Sequence, residues 1–120
     1  MNGESAEEVA AIYKQQLARI APLSLDEIQE LFRELRRWRR TDEQRENAGK
    51  KLIEGHLPLV AEIAEKHLAS GISWVDLVQD GNLALLGAME SYTENPSEDF
   101  RAYATTRIDD ALTKLISKTG

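Results

Sequence analysis

The chain lacks cysteine, has few helix breakers and contains no long apolar run. Without cysteine it can form neither disulfides nor thiolate metal sites, which fits a cytoplasmic protein. Only seven glycines and three prolines occur among 120 residues, and the abundant Ala, Leu, Glu and Arg favour helices. No stretch of about 18 apolar residues is present, so we expect no membrane span. The 42% hydrophobic content is enough for the core of one compact domain.

Residue patterns that support catalysis or metal binding are also missing. His56 and His67 lie eleven positions apart, without other ligand residues nearby. The chain has no glycine-rich phosphate loop and no HExxH run. Asp109 and Asp110 are adjacent, so on a helix they point about 100° apart and cannot act as one dyad. We therefore expect no catalytic site, no metal site and no cofactor.

Charge is unevenly distributed along the chain, whose net charge is −6. Eight of the 15 Lys and Arg residues lie within residues 33–51. Residues 74–110 carry eight acidic side chains against only Arg101 and Arg107. Proteins that bind nucleic acid usually present a basic face, because phosphate neutralisation supplies much of their affinity. The second half of the chain is therefore poorly suited to strong DNA binding.

Five amphipathic patterns follow one another, without strand-type alternation, and predict an all-α fold. The first apolar stripe covers residues 9–20, and the second covers residues 25–38. Ser24 and Glu27 have the spacing of a capping box that starts the second helix. The polar residues 41–47 predict a loop or a short solvated turn. Since every helix has an apolar face, we expect a compact bundle of about five helices.

The third apolar stripe, over residues 52–68, contains a proline. Pro58 removes a backbone donor and clashes with the preceding turn, so we expect a kink or break near residues 55–57. Gly71 follows as a left-handed helix cap.

The fourth stripe covers residues 74–92, and the fifth covers residues 100–115 after a predicted cap at Ser97. The fourth helix also has a polar face, which is either solvated or a docking surface. Gly81 and Asn82 are poor interior helix formers, and Gly81 costs about 1 kcal/mol relative to Ala, which indicates close approach of another group. These two residues favour docking. The polar face comprises Asp76, Gln79 and Asp80.

Residues 50–117 resemble region 2 of the bacterial RNA polymerase sigma factors of the sigma-70 family. The resemblance is carried by the runs LIEGHLPLV, GISWVDLVQDGNLAL and FRAYATTRI. The shorter runs HLPLV and TTRI resemble the flagellar- and stress-type alternative group more than the primary group. We accordingly expect a helical segment over residues 1–47, packing on or preceding the domain, and a region 2-like domain over residues 48–120.

The resemblance implies a surface that binds the clamp helices of the largest subunit of core RNA polymerase. It falls on Leu57, Val60, Val75, Asp76, Gln79, Asp80, Asn82 and Leu86.

The resemblance also implies contact between the last helix and the −10 element of promoter DNA. Thr106 and Arg107 replace the tryptophan pair of the primary group. Asp109 and Asp110 stand where the alternative group has a basic residue and glycine, so we expect weakened DNA contact. Tyr103 is either a core residue or a DNA contact, whereas we expect Phe100 in the core. The DNA-contact candidates are Arg101, Tyr103, Arg107, Thr113 and Lys114.

The basic run over residues 36–40 has two interpretations. It is either a phosphate-binding patch around Trp38 or a helix C-terminal turn whose cations complement the helix dipole, and we favour the second, with Trp38 in the core.

Two functional hypotheses follow. The first is a sigma-factor domain that binds polymerase and takes part in −10 recognition, either as a fragment of a longer sigma factor or as a stand-alone protein. The second is an interaction module that keeps the polymerase or regulator contact, with an anti-sigma factor as a further partner, but does not melt DNA. An unrelated helical bundle with accidental motifs is a third and weaker interpretation.

Overall fold

The computed structural model describes residues 5–37, 41–96 and 99–119. These residues form five α-helices, one 3-10 turn at Leu68–Ser70 and no strand. The prediction of a compact all-α bundle is confirmed. The helices are α1 (Ala6–Ala18), α2 (Leu25–Arg36), α3 (Asp42–Lys66), α4 (Trp74–Glu94) and α5 (Phe100–Thr119).

Side-chain caps determine where α2 begins. The Glu27 N–H donates to Ser24 Oγ at 3.1 Å, and the Ser24 N–H donates to Glu27 Oε1 at 2.9 Å. The predicted capping box is thus confirmed. The hydrogen bond from the Ser24 backbone favours the ionised carboxylate and lowers the pKa of Glu27.

The prediction of a loop over residues 41–47 is wrong. A second capping box starts α3 there: the Gln44 N–H donates to Thr41 Oγ1 at 3.2 Å, and the Thr41 N–H donates to Gln44 Oε1 at 3.0 Å. The polar residues that follow form the exposed first turns of a helix. The Thr-x-x-Gln spacing was the signal for this helix start.

The predicted break near residues 55–57 is also wrong, because α3 continues through Pro58. Leu52 and Ile63 are buried on either side of the proline, and their packing stabilises the helix on both sides of it. This apolar burial outweighs the one missing hydrogen bond. Helix α3 runs across the domain boundary predicted between residues 47 and 48. That boundary stays a prediction. Gly71 has a φ of +88°, as predicted for a left-handed cap.

The core extends from the first helix to the last. Leu17 of α1 and Ile28 and Phe32 of α2 belong to the same buried cluster as the apolar faces of α3, α4 and α5. The first two helices therefore pack on the other three.

An aromatic cluster fills one end of the core. Phe32 and Phe100 have ring centroids 4.8 Å apart, and Tyr92 packs against both. Phe100 is a core residue, as predicted. His56 is buried with them and its Nδ1 lies 2.7 Å from the Leu52 carbonyl oxygen. Burial lowers the pKa of His56 and favours the neutral ring.

Two further predictions lie outside the described residues: Trp38 in the core and Ser97 as the cap of α5. Within the described residues, Asp99 takes the capping role. Its Oδ1 accepts a hydrogen bond from the Ala102 N–H at 3.0 Å, and its carbonyl accepts one from the Tyr103 N–H.

Candidate functional site

The outer face of α4 carries most of the residues predicted to bind a partner. Val75, Gln79, Asn82 and Leu86 follow one another at helical spacing and share a face, with the acidic residues on the adjacent row. Gln79 is exposed, Leu86 is 42% exposed, and Val75 and Asn82 are half-buried. We call Val75, Asp76, Gln79, Asp80, Asn82 and Leu86 the α4 stripe.

The opposite face of α4 holds this stripe in place. Ser73 Oγ accepts a hydrogen bond from the Asp76 N–H at 3.2 Å, which fixes the start of the helix. Leu77 and Leu85 are fully buried beneath the stripe. The stripe thus belongs to a helix that is capped at its start and packed along its inner face, which suits a preformed docking surface.

Gly81 is required by packing inside the domain. A Cβ added at Gly81 would lie 2.7 Å from Val60 Cγ1 and 3.5 Å from Ile108 Cγ2. The predicted close approach is therefore real, and it brings α4 against α3 and α5. It does not by itself indicate a docking surface.

The prediction that Val60 contacts a partner needs correction. Val60 has an exposure of 0%, and its side chain faces Gly81 in the core. A fully buried side chain cannot bind a partner in this fold, so Val60 is a packing residue. Leu57, one turn earlier on α3, is half-buried and packs at the margin of the core.

A groove between α1 and α4 runs beside the stripe and was not predicted. Its volume is about 390 Å³, and it is mostly apolar. Val9 and Ile12, on its α1 side, are 43% and 45% exposed. We call it the α1–α4 groove, and it is lined by Val9, Ile12, Tyr13, Gln16, Trp74, Val75, Val78, Gln79 and Asn82.

Two buried polar atoms of groove residues lack hydrogen-bond partners within the described part of the chain. They are the Trp74 Nε1 donor and the Asn82 Oδ1 acceptor. Buried polar groups are normally paired, so a donor and an acceptor remain available beside the groove.

The two arginine candidates on α5 have partners within the fold. Arg101 Nη2 lies 3.8 Å from the Glu62 carboxylate on α3. Arg107 Nη1 donates to the Tyr103 hydroxyl at 2.8 Å, and its guanidinium lies 5.5 Å from the centroid of that ring. The pair of Tyr103 and Arg107 thus forms a preassembled cation–π unit on α5.

The remaining α5 candidates are exposed near Asp109 and Asp110. Thr113 Oγ1 donates to the Asp109 carbonyl at 2.9 Å, and Lys114 is exposed. Both aspartates are exposed, and the Asp109 carboxylate also lies 2.7 Å from His67 Nε2. This contact joins residues 42 positions apart, and the sequence offered no local signal for it.

The structure shows neither a metal cluster nor a membrane span in the part it describes. No group of three His, Cys, Asp or Glu side chains is arranged to hold a metal ion there. None of the helices in those ranges is long and apolar enough to cross a membrane.

Comparison with a family model identifies the class of protein. Residues 52–120 match the family model described as sigma-70 region 2. The chain therefore belongs to the sigma-70 family.

Curated relatives agree with this assignment. RNA polymerase sigma factor SigA of a Bacillus species is 33% identical over 106 residues, which cover 88% of this chain and 26% of the relative. The SigA proteins of Mycoplasma genitalium and Mycoplasma pneumoniae are each 40% identical over 76 residues, which cover 63% of this chain and 15% of each relative. The chain thus spans about a quarter or less of these relatives. The Bacillus match also extends well before residue 52, into the first helices.

Proposed function

We propose that this chain is a sigma-factor domain that docks on core RNA polymerase through the α4 stripe and takes part in recognising the −10 promoter element. The observation that carries the proposal is the stripe itself. Asp76, Gln79 and Leu86 lie exposed on α4, at the positions that the family resemblance assigns to polymerase binding. We propose no catalytic role for the chain and a cytoplasmic location.

The chemistry of the stripe suits a helical partner with cationic side chains. Asp76 and Asp80 offer carboxylates one turn apart, and charge-assisted hydrogen bonds from Lys or Arg are the strong ones at interfaces. Leu86 and Val75 add apolar contacts at the two ends of the stripe. We propose the clamp helices of the largest polymerase subunit as this partner.

We propose that α5 makes a weaker contact with the DNA. The Tyr103 ring with Arg107 against it offers a stacking surface for an unpaired base. Arg101, Thr113 and Lys114 are exposed on the same helix and would contact the phosphates. The acidic pair at 109–110 opposes this contact.

Asp109 and Asp110, both exposed, support the alternative function. A domain that repels promoter DNA on α5 but keeps the α4 stripe would act as an interaction module, binding polymerase or a regulator such as an anti-sigma factor.

We also propose that the runs HLPLV and TTRI place the chain nearer the flagellar- and stress-type group, although the relatives named above are SigA proteins. Residues 48–120 would then form the region 2-like domain, with residues 1–47 as a segment packed on it.

Binding of the purified chain to core RNA polymerase tests the proposal. We expect Asp76→Ala to weaken binding about tenfold, as for loss of one charged hydrogen bond. Glu46→Ala removes an exposed carboxylate from α3 and is the matched control. Equal binding by the parent and both variants would contradict docking through the α4 stripe.

A further inference from the structure

The α1–α4 groove leaves apolar side chains of α1 uncovered by the described chain. Helix α1 is attached mainly through its second half: Leu17 is buried, and Lys14 pairs with Glu65 and lies 4.7 Å from the Trp74 ring centroid. Val9 and Ile12, one and two turns from the start of α1, remain about half exposed. They point into the groove beside the α4 stripe.

The groove and the α4 stripe form one continuous surface. Val75, Gln79 and Asn82 belong to both, so a partner that lies on the stripe also meets the α1 side of the groove. An apolar groove between two helices is a typical binding site for an amphipathic helix, which inserts apolar side chains spaced three or four residues apart.

The charges around this surface favour one kind of occupant. Among the described residues, neither Lys nor Arg lines the groove. Glu8 precedes Val9 on α1, and Asp76 and Asp80 flank the α4 side. Lys14, which follows Tyr13 on α1, is paired with Glu65, so within the described ranges the unpaired charge next to the groove is acidic. A partner helix that fits therefore carries apolar side chains between Lys or Arg residues.

We propose that Val9 and Ile12 of α1 form the second wall of the polymerase-docking site, and that the α1–α4 groove seats an apolar, Arg- or Lys-flanked helix of core RNA polymerase. This inference rests on the proposed docking function and adds α1 to it. The contact area then extends beyond residues 52–120, which the region 2 family model matches.

A double substitution on α1 tests the proposal. Val9→Gln with Ile12→Gln removes the apolar wall while keeping side chains that suit an exposed helix. Leu68→Gln is the control, since Leu68 is an apolar residue of similar exposure on the turn after α3. We expect the double variant to bind core RNA polymerase roughly tenfold more weakly and the control to bind like the parent.

Comparison with Asp76→Ala separates this inference from the proposed function. If Asp76→Ala weakens binding and the α1 double variant binds like the parent, α1 lies outside the interface and the inference is overturned while docking stands. If the parent does not bind core polymerase, both are overturned. Weakening by both variants supports both.

Cross-linking provides a readout that does not depend on the stability of α1. A photoreactive amino acid placed at Ile12 should cross-link to the largest polymerase subunit, and the same group at Leu68 should not. Circular dichroism of the Ile12 variant should match the parent, because the native side chain is about half exposed. Absence of a cross-link from Ile12 in a complex that forms normally would overturn the proposal.

Discussion

The Nε2 atom of His67 lies 2.7 Å from Asp109 Oδ1, and this contact joins the end of α3 to the middle of α5. Asp109 is therefore a structural residue as well as a charge that would oppose the proposed DNA contact. Its neighbour Asp110 is exposed and points to a different side of α5. Substitution of Asp109 and substitution of Asp110 should therefore have different effects on the stability of the fold.

Asp109→Ala should destabilise the fold more than Asp110→Ala. Both changes replace an exposed aspartate by the same residue on the same helix, so the difference isolates the contact with His67. The pair is partly exposed, so we expect the difference to be about 0.5–1 kcal/mol in the free energy of unfolding. Urea denaturation measures it, and a double-mutant cycle with His67→Ala assigns it to the pair. Equal destabilisation by the two changes would show that the contact contributes nothing.

Removing the exposed charge of Asp110 should improve DNA binding. Asp110→Asn removes one exposed carboxylate from the proposed DNA-contacting helix without touching the contact between His67 and Asp109. We expect roughly two- to threefold tighter binding of a single-stranded −10 oligonucleotide at low salt, and a smaller gain at high salt. Fluorescence anisotropy measures this, with Glu46→Gln as a control remote from α5. Weaker binding by Asp110→Asn would mean that this carboxylate contacts the DNA favourably.

Two glycines of α4 should respond oppositely to the same substitution. Gly81→Ala places a methyl group 2.7 Å from Val60 Cγ1, and we expect a loss of about 1–3 kcal/mol in the free energy of unfolding despite the better helix propensity of alanine. A Cβ at Gly87 meets nothing within 4 Å, so Gly87→Ala should add about 0.5–1 kcal/mol. Thermal or urea denaturation compares them. A stabilised Gly81→Ala variant would contradict the packing of α4 on α3.

Buried His56 should make the domain sensitive to acid. Burial lowers its pKa in the folded state, so the unfolded chain binds more protons once the pH falls below about 6.5, the ordinary pKa of histidine. The stabilising effect of a neutral His56 is complete above that pH and decreases as the pH falls toward the lower folded pKa. The free energy of unfolding should thus fall more steeply between pH 7 and 5 for the parent than for His56→Gln. Parallel pH profiles of the two proteins would refute this.

The helical architecture could be predicted because its signals are local. Apolar stripes at helical spacing located all five helices, and the Ser24–Glu27 spacing located the start of α2. The same rule, applied to Thr41 and Gln44, would have found the start of α3. The break predicted near residues 55–57 is absent because burial on both sides of Pro58 stabilises α3, and that burial depends on tertiary packing, which no local rule describes.

The site was harder to predict, since it depends on how helices cross. The α4 stripe lies within one helix, and its exposed positions follow from helical spacing. Val60 was misplaced because the approach of α3 to Gly81 buries it. Nor can a single segment show the α1–α4 groove or the contact between His67 and Asp109, each of which brings together residues far apart in the chain.

Competition for core RNA polymerase tests docking through the α4 stripe. The purified chain is added in increasing amounts to core polymerase carrying a fluorescently labelled SigA protein, and the release of SigA is followed by anisotropy. If the α4 stripe is the docking surface, the parent should displace SigA and Asp76→Ala should need about tenfold more protein to do so. No displacement by the parent at saturating concentration would contradict docking at the sigma-binding surface of polymerase.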